Sequence, residues 1–451
     1  MKDVTLSMRC LVSPAREVRH LLDLVQERDS ENPAEPPESD ESGQAESGQA
    51  ESGRPVCSVL DWARWGLMAL TGDPEGCPTA PSAPVAARVL ALVTAIEVVT
   101  GRRGRPVRLD PAHLLAGRAE LHGWSRRGTR SVNRTCRLLQ AQDGWLAVSL
   151  SRPDDIDSVP ALLGRQFQGS AWEALRQAAA GRTAAPLVAT AQLLGIPAAV
   201  LGADSELAPV RITRLGDPAP IAKAPDVVLD LSAIWAGPLC AHILGRAGAR
   251  VIKVEDVRRP DSARFGPAAF YAELHGGHDL QVLDFSTPSG RAELHRLADR
   301  ATIVIESSRP RALRALGLVA EDWLRHKPGR TWVSVTGYGR DDPQQRVAFG
   351  DDAAVAGGLV AYPPPDPDRG AATPVFCADA IADPLTGMYA ALAAAASRAG
   401  GGGHLIDVRM AGVSADLARP AEGADCPHRI SPSGDGWSVS HGPETIDVQP
   451  Q

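Results

Sequence analysis

The chain has 451 residues, of which 44% are hydrophobic, and this supplies enough apolar material for two or three domains with buried cores. Its formal net charge of −7 and isoelectric point near 5.9 give no reason to expect nucleic-acid binding. The seven cysteines form no C-x-x-C pair, and no segment has the pattern of a membrane span or a signal peptide. We therefore expect a cytoplasmic protein that uses no metal and binds neither membrane nor nucleic acid.

Three regions precede the centre of the chain. Residues 1–26 are predicted to contain a short helix, because apolar residues recur at helical spacing in REVRHLLDLVQ. Residues 27–54 are acidic and repeat ESGQA, a composition that predicts a disordered linker, with a charged binding segment as the less favoured alternative. Residues 55–220 form the first folded half, with a helix pattern at 85–99 and an alternating strand pattern at 143–150.

The strongest pattern lies at residues 226–255. An apolar run, the short loop AIWAGP, an amphipathic segment and a second apolar run follow one another. Strand, helix and strand at this spacing indicate a βαβ unit, which requires parallel strands. The loop lacks the G-x-G-x-x-G spacing, so a dinucleotide site is not indicated.

The same alternation of strands and helices continues through residues 279–338. It predicts an α/β fold with a doubly wound, Rossmann-like parallel sheet in residues 221–415, plus a smaller α/β domain. Residues 416–451 are polar, contain Pro and Gly, and show one weak strand pattern at GWSVS. We expect these residues to form a C-terminal tail.

The two halves of the chain contain similar segments. A helix pattern that starts near Ala86 and leads through a glycine turn to Asp110 parallels one that starts at Asp383 and leads to Asp407. Just upstream, DWARWGLMALTG parallels DDAAVAGGLVAY. We infer a repeat, and chance similarity between two alanine-rich helices is the alternative. The first copy has alanine where the second has Asp383, so one reactive carboxylate per chain is expected.

Several segments resemble the class III CoA-transferases, a family that also contains α-methylacyl-CoA racemase. They are VLDLS, AGPLC, LGRAGARVIKVE, SVTGYG and ADPLTGMYAALAA, which occur in that order across residues 226–412. The resemblance implies that 221–415 is the nucleotide-binding-like half and that 55–220 is the C-terminal-type half with the small domain. The halves would then be fused in swapped order. Family members form interlocked dimers, so the resemblance also implies a homodimer.

The resemblance implies an enzyme that moves CoA from an acyl-CoA donor to a small carboxylic acid through an aspartyl-CoA intermediate. Asp383 in D-P-L-T-G-M matches the nucleophilic aspartate, and Tyr338 in SVTGYG matches an active-site tyrosine. From the residues alone, Asp383 before Pro384 also fits a helix N-cap. Asp379 is interpreted as a loop carboxylate that supports Asp383.

Two alternative functions stay open at this point. An acyl-CoA racemase or isomerase is disfavoured, because the histidine that proton transfer would use is missing from AFGDDAAVAGG. A catalytically silent family member that binds acyl-CoA or a protein is the other alternative. The departures from the family pattern on the CoA side favour that second alternative.

The implied CoA-binding residues depart from the family pattern. Trp235, Ala236 and Gly237 occupy the loop that would lie beside the substrate, where the tryptophan either narrows the pocket or simply packs. His278 belongs to HGGHD, where the family has a basic run. CoA phosphates need nearby cations. The candidate arginines, each of which also fits a solvated surface position, are Arg258, Arg259, Arg309, Arg311 and Arg314.

Overall fold

The computed structural model describes residues 4–8, 14–25, 57–103, 105–364, 373–421, 426–434 and 436–448. The linker predicted at 27–54 lies outside the described residues. Within the described ranges, no helix combines the length and the apolar character that a membrane crossing needs.

The strands are numbered in chain order. They are β1 (Val4–Met8), β2 (Cys136–Ala141), β3 (Gly144–Ser149), β4 (Ala198–Val200), β5 (Val210–Arg214), β6 (Val227–Leu231), β7 (Arg250–Asp256), β8 (Asp279–Leu283), β9 (Ile303–Glu306), β10 (Thr331–Thr336), β11 (Val360–Ala361), β12 (Val375–Phe376), β13 (His404–Arg409), β14 (Cys426–Ser433), β15 (Gly436–His441) and β16 (Glu444–Val448).

The α-helices are numbered in the same way. They are α1 (Pro14–Val25), α2 (Ser58–Arg64), α3 (Val85–Gly101), α4 (Pro111–His122), α5 (Pro153–Asp157), α6 (Val159–Leu163), α7 (Ala171–Ala180), α8 (Ala184–Leu193), α9 (Ala236–Arg246), α10 (Ala268–His275), α11 (Pro288–Arg300), α12 (Pro310–Ala315), α13 (Ala320–His326), α14 (Gly350–Ala356), α15 (Ala382–Ala399) and α16 (Met410–Ala418).

A seven-stranded sheet occupies the centre of the protein, with the strand order β5-β13-β10-β9-β6-β7-β8. All neighbouring pairs are parallel except β5 and β13. The chain runs outward from β6 to β7 and β8 and then returns to the other side of β6 as β9. Such a reversal opens a crevice beyond the carboxyl ends of the two central strands, where open α/β sheets bind ligands. The doubly wound parallel sheet predicted from the sequence is confirmed.

A smaller antiparallel sheet, β2-β3-β4, lies within the first half of the chain. Its core is separate from the main core and includes Leu146, Leu163, Leu175 and Leu187. These side chains come from β3 and from the helices α6, α7 and α8. This unit is the smaller α/β domain expected from the sequence.

The remaining helices of the first half join the core of the large sheet. Leu92 and Ile96 of α3 are fully buried in the same cluster as Leu392 of α15 and Ile305 of β9. The helices α3 and α15, which contain the two similar helix patterns, pack directly against each other. The main core therefore contains residues from both 55–220 and 221–415. The boundary between these two ranges does not divide this core.

The C-terminal region differs from the tail expected at 416–451. It holds three strands, which pair with β1 as the four-stranded antiparallel sheet β1-β14-β15-β16. The buried side chains of this sheet, such as Ile430 and Val439, lie on one face. A strand with a single buried face gives a weak local pattern, and its partner β1 is at the other end of the chain.

The helix α15 lies unusually close to α9. A Cβ atom on Gly387 would be 2.7 Å from the carbonyl oxygen of Ala236 and 3.0 Å from Cβ of Leu239. These distances are shorter than ordinary van der Waals contacts, so the two helices could not approach as they do with a larger residue at this position.

Replacing Gly387 by alanine is expected to lower the free energy of unfolding by about 1–3 kcal/mol, because the added methyl group overpacks this helix contact. Urea unfolding followed by circular dichroism measures the change. Gly400→Ala is the matched control, since its added Cβ would have no neighbour closer than 3.6 Å. Equal midpoints for the two variants would contradict the prediction.

Candidate active site

A cleft of about 180 Å³ lies at the carboxyl ends of β6, β9 and β10. The loops after these three strands form its floor, and the starts of α14, α15 and α16 form the rest of its wall. The cleft occupies the crevice that the chain reversal creates. Its lining includes Ala236, Arg309, Arg340, Arg346, Phe349 and Asp383.

Asp383 lies in the first turn of α15. The helix begins at Ala382 with Ile381 at the N-cap position, so Asp383 does not cap its own helix. Its carboxylate instead accepts a hydrogen bond from the backbone N–H of Gly350, at the start of α14. A Cβ on Gly350 would lie 2.3 Å from Oδ2 of Asp383. Glycine is therefore what allows the carboxylate to reach this N–H group.

The environment of Asp383 raises its pKa to about 7. Burial is the largest cause, since the residue is only 9% exposed. The positive charge of Arg118 acts against this, while the carboxylates of Asp351 and Asp379 act with it. A carboxylate that titrates near neutral pH and is poorly solvated has the properties required of a nucleophile.

Asp379 is held by an arginine from the first half of the chain. Nε of Arg118 donates a hydrogen bond of 2.7 Å to Oδ2 of Asp379, and Nη2 donates another of 2.7 Å to Oδ1. The flanking residues Ala378 and Ala380 have φ angles of 54° and 42°, a backbone region that is unfavourable for alanine and that clusters at functional sites. The supporting role inferred for Asp379 from the sequence agrees with this geometry.

Two further buried carboxylates stand at the start of α14. Asp351 accepts a hydrogen bond from Nδ2 of Asn133 at 2.9 Å, and Asp352 accepts one from the hydroxyl of Ser149 at 2.7 Å. Burial raises the pKa of Asp351 to about 6 and that of Asp352 to about 7. Among the described side chains, no group of three or more His, Cys, Asp or Glu residues is arranged to hold a metal ion.

The position of Tyr338 does not fit the catalytic role expected from the sequence. Gly337 and Gly339 line the cleft, but Tyr338 between them does not. Its ring is 4% exposed and lies under the guanidinium of Arg346, with 3.7 Å between Cζ and the ring centroid. The ring packs among apolar side chains that include Ala199. An aromatic ring at the end of a buried strand is stabilised by this packing.

The residues of the loop after β6 differ in whether they line the cleft. Ala236 lines the cleft, as expected, whereas Trp235 is 3% exposed and packs edge-on against Phe270 with 5.3 Å between the ring centroids. The packing alternative for the tryptophan is thus the one observed. Gly237 is required for close approach, because a Cβ there would lie 2.2 Å from Cβ of Ser232.

Backbone strain marks the same loop. Ile234 lines the cleft with a φ of 74°, a genuine outlier for a β-branched residue. Its N–H donates to Oδ1 of Asp261 at 3.0 Å. Asp261 is in turn paired with the fully buried Lys253, with 3.2 Å between Nζ and Oδ2. This buried ion pair holds the loop in its strained conformation.

Of the predicted cationic ligands, which are five arginines and His278, only Arg309 lines the cleft. The side chain of Arg258 is 63% exposed beside Asp256, and that of Arg314 is 55% exposed beside Glu321. These two correspond to the solvated alternative. His278 also lies apart from the cleft. It is in contact with two other histidines, His242 and His275.

Arg309 carries a charge that the fold does not neutralise. The described part of the chain gives it no ion-pair partner. Burial and the nearby charges of Arg311 and Arg152 lower its pKa. The other cleft arginines are paired, Arg340 with a glutamate and Arg346 with an aspartate. Arg309 is therefore the cation available to an anionic ligand.

Several site residues have no signal in the sequence. Arg118, Asn133 and Ser149 belong to segments without a recognisable motif. Asp351 and Asp352 form a conspicuous acidic pair just before an apolar helix, and this pair is the one signal that could have drawn attention to the site. The contacts themselves join residues up to 261 positions apart, which local patterns do not predict.

Residues 226–435 match the model of CoA-transferase family III. Similar curated proteins include the succinyl-CoA–D-citramalate CoA-transferase of Chloroflexus aurantiacus, 31% identical over 40% of this chain and 47% of that protein. The succinate–glutarate CoA-transferase of Agrobacterium fabrum is 33% identical over 41% of this chain and 51% of that protein. Human α-methylacyl-CoA racemase is 33% identical over 28% of this chain and 30% of that protein.

The segment 226–435 therefore matches CoA-transferase family III, as its resemblance indicated. The chain spans about half the length of the first two relatives. The family segment contains Asp383 and all strands of the large sheet except β5. Arg118, Asn133 and Ser149 precede that segment.

The buried carboxylates predict a stability that falls as the pH rises. Asp352 loses its proton near its usual pKa of 3.8 in the unfolded chain but only at about 7 in the folded protein. Between these values the folded state binds more protons, so the free energy of unfolding decreases with pH. Asp352→Asn is expected to reduce this decrease.

Urea unfolding at about pH 5 and about pH 8 tests this expectation. Asp322→Asn, at a side chain that is 76% exposed, controls for the loss of a charge as such. A loss of stability with pH that is as steep in Asp352→Asn as in the unchanged protein would contradict the prediction.

Proposed function

We propose that the protein is a class III CoA-transferase that moves CoA from an acyl-CoA donor to a carboxylic acid acceptor. The observation that carries this proposal is the position of Asp383, a partly desolvated carboxylate at the ligand-binding crevice of the sheet, within the family segment. The function applies to the whole chain, because both halves contribute side chains around this carboxylate.

The proposed reaction begins when an oxygen of the Asp383 carboxylate attacks the thioester carbonyl carbon of the donor. The carbon–sulfur bond breaks and leaves a mixed anhydride and the CoA thiolate. The thiolate then attacks the carbonyl carbon of Asp383, which releases the donor acid as a carboxylate and leaves an aspartyl-CoA thioester. The acceptor acid repeats the two steps in reverse, so that the new acyl-CoA leaves and Asp383 is restored.

Three features of the cleft support these steps. The N–H of Gly350 holds the carboxylate of Asp383 in one orientation, which reduces the entropic cost of attack. Apolar residues such as Val335, Phe349 and Met410 line the space for the acyl group and limit access of water to the anhydride. Arg309 offers an unpaired cation to an anionic part of either substrate.

Asp383→Asn is expected to abolish covalent catalysis, because the amide is not a nucleophile, and to lower the rate by about 10³-fold or more. Intact-protein mass spectrometry after incubation with a panel of acyl-CoAs should detect an acyl or CoA adduct. Hydroxylamine should convert that adduct to a hydroxamate on Asp383. Gly350→Ala retains Asp383 in the sequence but should weaken adduct formation, since the methyl group would clash with its carboxylate and with the carbonyl oxygen of Ala380.

The control for this experiment is Asp322→Asn, which removes an exposed carboxylate from the same half. It should form the adduct at the rate of the unchanged protein. If no donor gives an adduct and calorimetry detects no CoA binding, the transferase proposal fails. A silent binding protein would then be the better description.

We also propose that two copies of the chain associate in the cytoplasm, as the family resemblance implies. The cysteine pattern supports a reducing compartment, because the buried Cys136, Cys240 and Cys377 are thiols that form no disulfide. The dimer is supported by the edge strand β8, which in the described ranges pairs only with β7. Its residues Leu280 and Val282 are 49% and 59% exposed, beside Val257 at 55%. An open strand edge with apolar side chains favours association.

Replacing both Leu280 and Val282 by glutamate is expected to convert a dimer to monomers, because charged side chains on an edge strand oppose pairing. Sedimentation velocity measures the change. Leu193→Glu, at a site that is 87% exposed on α8, should leave the association intact. A monomeric unchanged protein would contradict the dimer proposal.

A further inference from the structure

Arg118 is the one arginine that the first half of the chain places against the reactive carboxylate. It lies on α4, well before the family segment. Its side chain is 14% exposed and its partner Asp379 is completely buried. A buried guanidinium with two parallel hydrogen bonds to one carboxylate is fixed in both position and orientation.

Aromatic rings also hold the guanidinium in place. Cζ of Arg118 is 4.5 Å from the ring centroid of Trp235, 5.6 Å from that of Trp124 and 5.8 Å from that of Phe270. Trp235 belongs to the strained loop that lines the cleft. Arg118 thus contacts both the loop after β6 and the loop that leads into α15.

The loop held by Arg118 ends at the nucleophile. Asp379 stands four residues before Asp383, and the φ values of its two neighbours require outside support. The N–H of Ala378 donates to the hydroxyl of Thr71 at 3.1 Å, and the N–H of Ala380 donates to Oδ1 of Asp351 at 3.1 Å. Fixing Asp379 therefore fixes the direction from which α15 begins.

Arg118 offsets part of the negative charge around Asp383. The carboxylates of Asp351, from α14, and Asp379, from the preceding loop, face it together with the guanidinium from α4. His122, also on α4, lies near Arg118 and Asp379, and burial lowers its pKa. Three carboxylates in one buried place repel each other, and Arg118 is the cation that offsets this repulsion.

We propose that Arg118 is a positioning residue of the Asp383 site, supplied by the half of the chain that lies outside the family segment. It holds Asp379 and the start of α15, and it keeps a positive charge beside the reacting carboxylate. This inference rests on the proposed transferase function. It assigns the first half a direct part in the reactive centre rather than a purely structural one.

The proposal predicts opposite effects for the two members of the ion pair. Only the ionised carboxylate attacks the thioester, so kcat/KM should rise with pH to a midpoint near the pKa of Asp383. Arg118→Gln removes the cation and should move this midpoint to higher pH by about one unit, with a rate at neutral pH at least about tenfold lower. Asp379→Asn removes a like charge and should move the midpoint to lower pH.

Further variants separate geometry from charge. Arg118→Lys keeps the charge but loses the two parallel hydrogen bonds, so its kcat should fall while the midpoint stays near that of the unchanged protein. Arg330→Gln is the matched control. It removes another arginine, 3% exposed, that is bonded to Asp299 and to the carbonyl of Trp323. It should lower stability without moving the midpoint.

The readouts are the pH profile of kcat/KM and single-turnover formation of the hydroxamate on Asp383. Midpoints that do not move, or that move in the same direction for Arg118→Gln and Asp379→Asn, would overturn the assignment. If Arg118→Gln does not fold, Asp379→Asn decides alone, because a midpoint that is unchanged or higher overturns it. Absence of any adduct in the unchanged protein would instead reject the transferase function.

Discussion

The burial of carboxylates at the junction of the two halves is the constraint on which the site depends. Asp351, Asp352, Asp379 and Asp383 are each 9% exposed or less. Burying such groups costs several kcal/mol unless hydrogen bonds or opposite charges compensate. Side chains from the first half donate to three of them, and the N–H of Gly350 donates to the fourth.

These contacts make the two halves of the chain dependent on each other. Arg118, Asn133 and Ser149 supply the donors from the first half. Without these donors, the start of α14 and the loop before α15 would carry buried carboxylates that lack these hydrogen bonds. The apolar contact between α3 and α15 stabilises the same junction over a larger surface. Apart from β5, the large sheet therefore lies within the family segment, but part of the environment of Asp383 does not.

The sequence predicted what depends on short-range pattern. The alternation of apolar runs and helices from 226 to 338 sufficed for the parallel sheet, and the D-P-L-T-G-M motif located Asp383. It left open whether Trp235 and Tyr338 line the pocket or pack, because the pattern of a loop does not say on which side a ring will lie. Among the cations, Arg309 lines the cleft and Arg258 does not, and which residues meet at the cleft depends on loops that are distant in sequence.

The pairing of β1 with β14 has a consequence for how the protein is made. Val4 lies opposite Ile430 in that sheet, so the first of these two strands to leave the ribosome has no partner until the second has been translated. The same delay applies to α1, because His20 is synthesised long before Asp416, its hydrogen-bond partner. Arg118 emerges long before the carboxylates it stabilises. Asp383 is thus synthesised after the side chains of the first half that surround it.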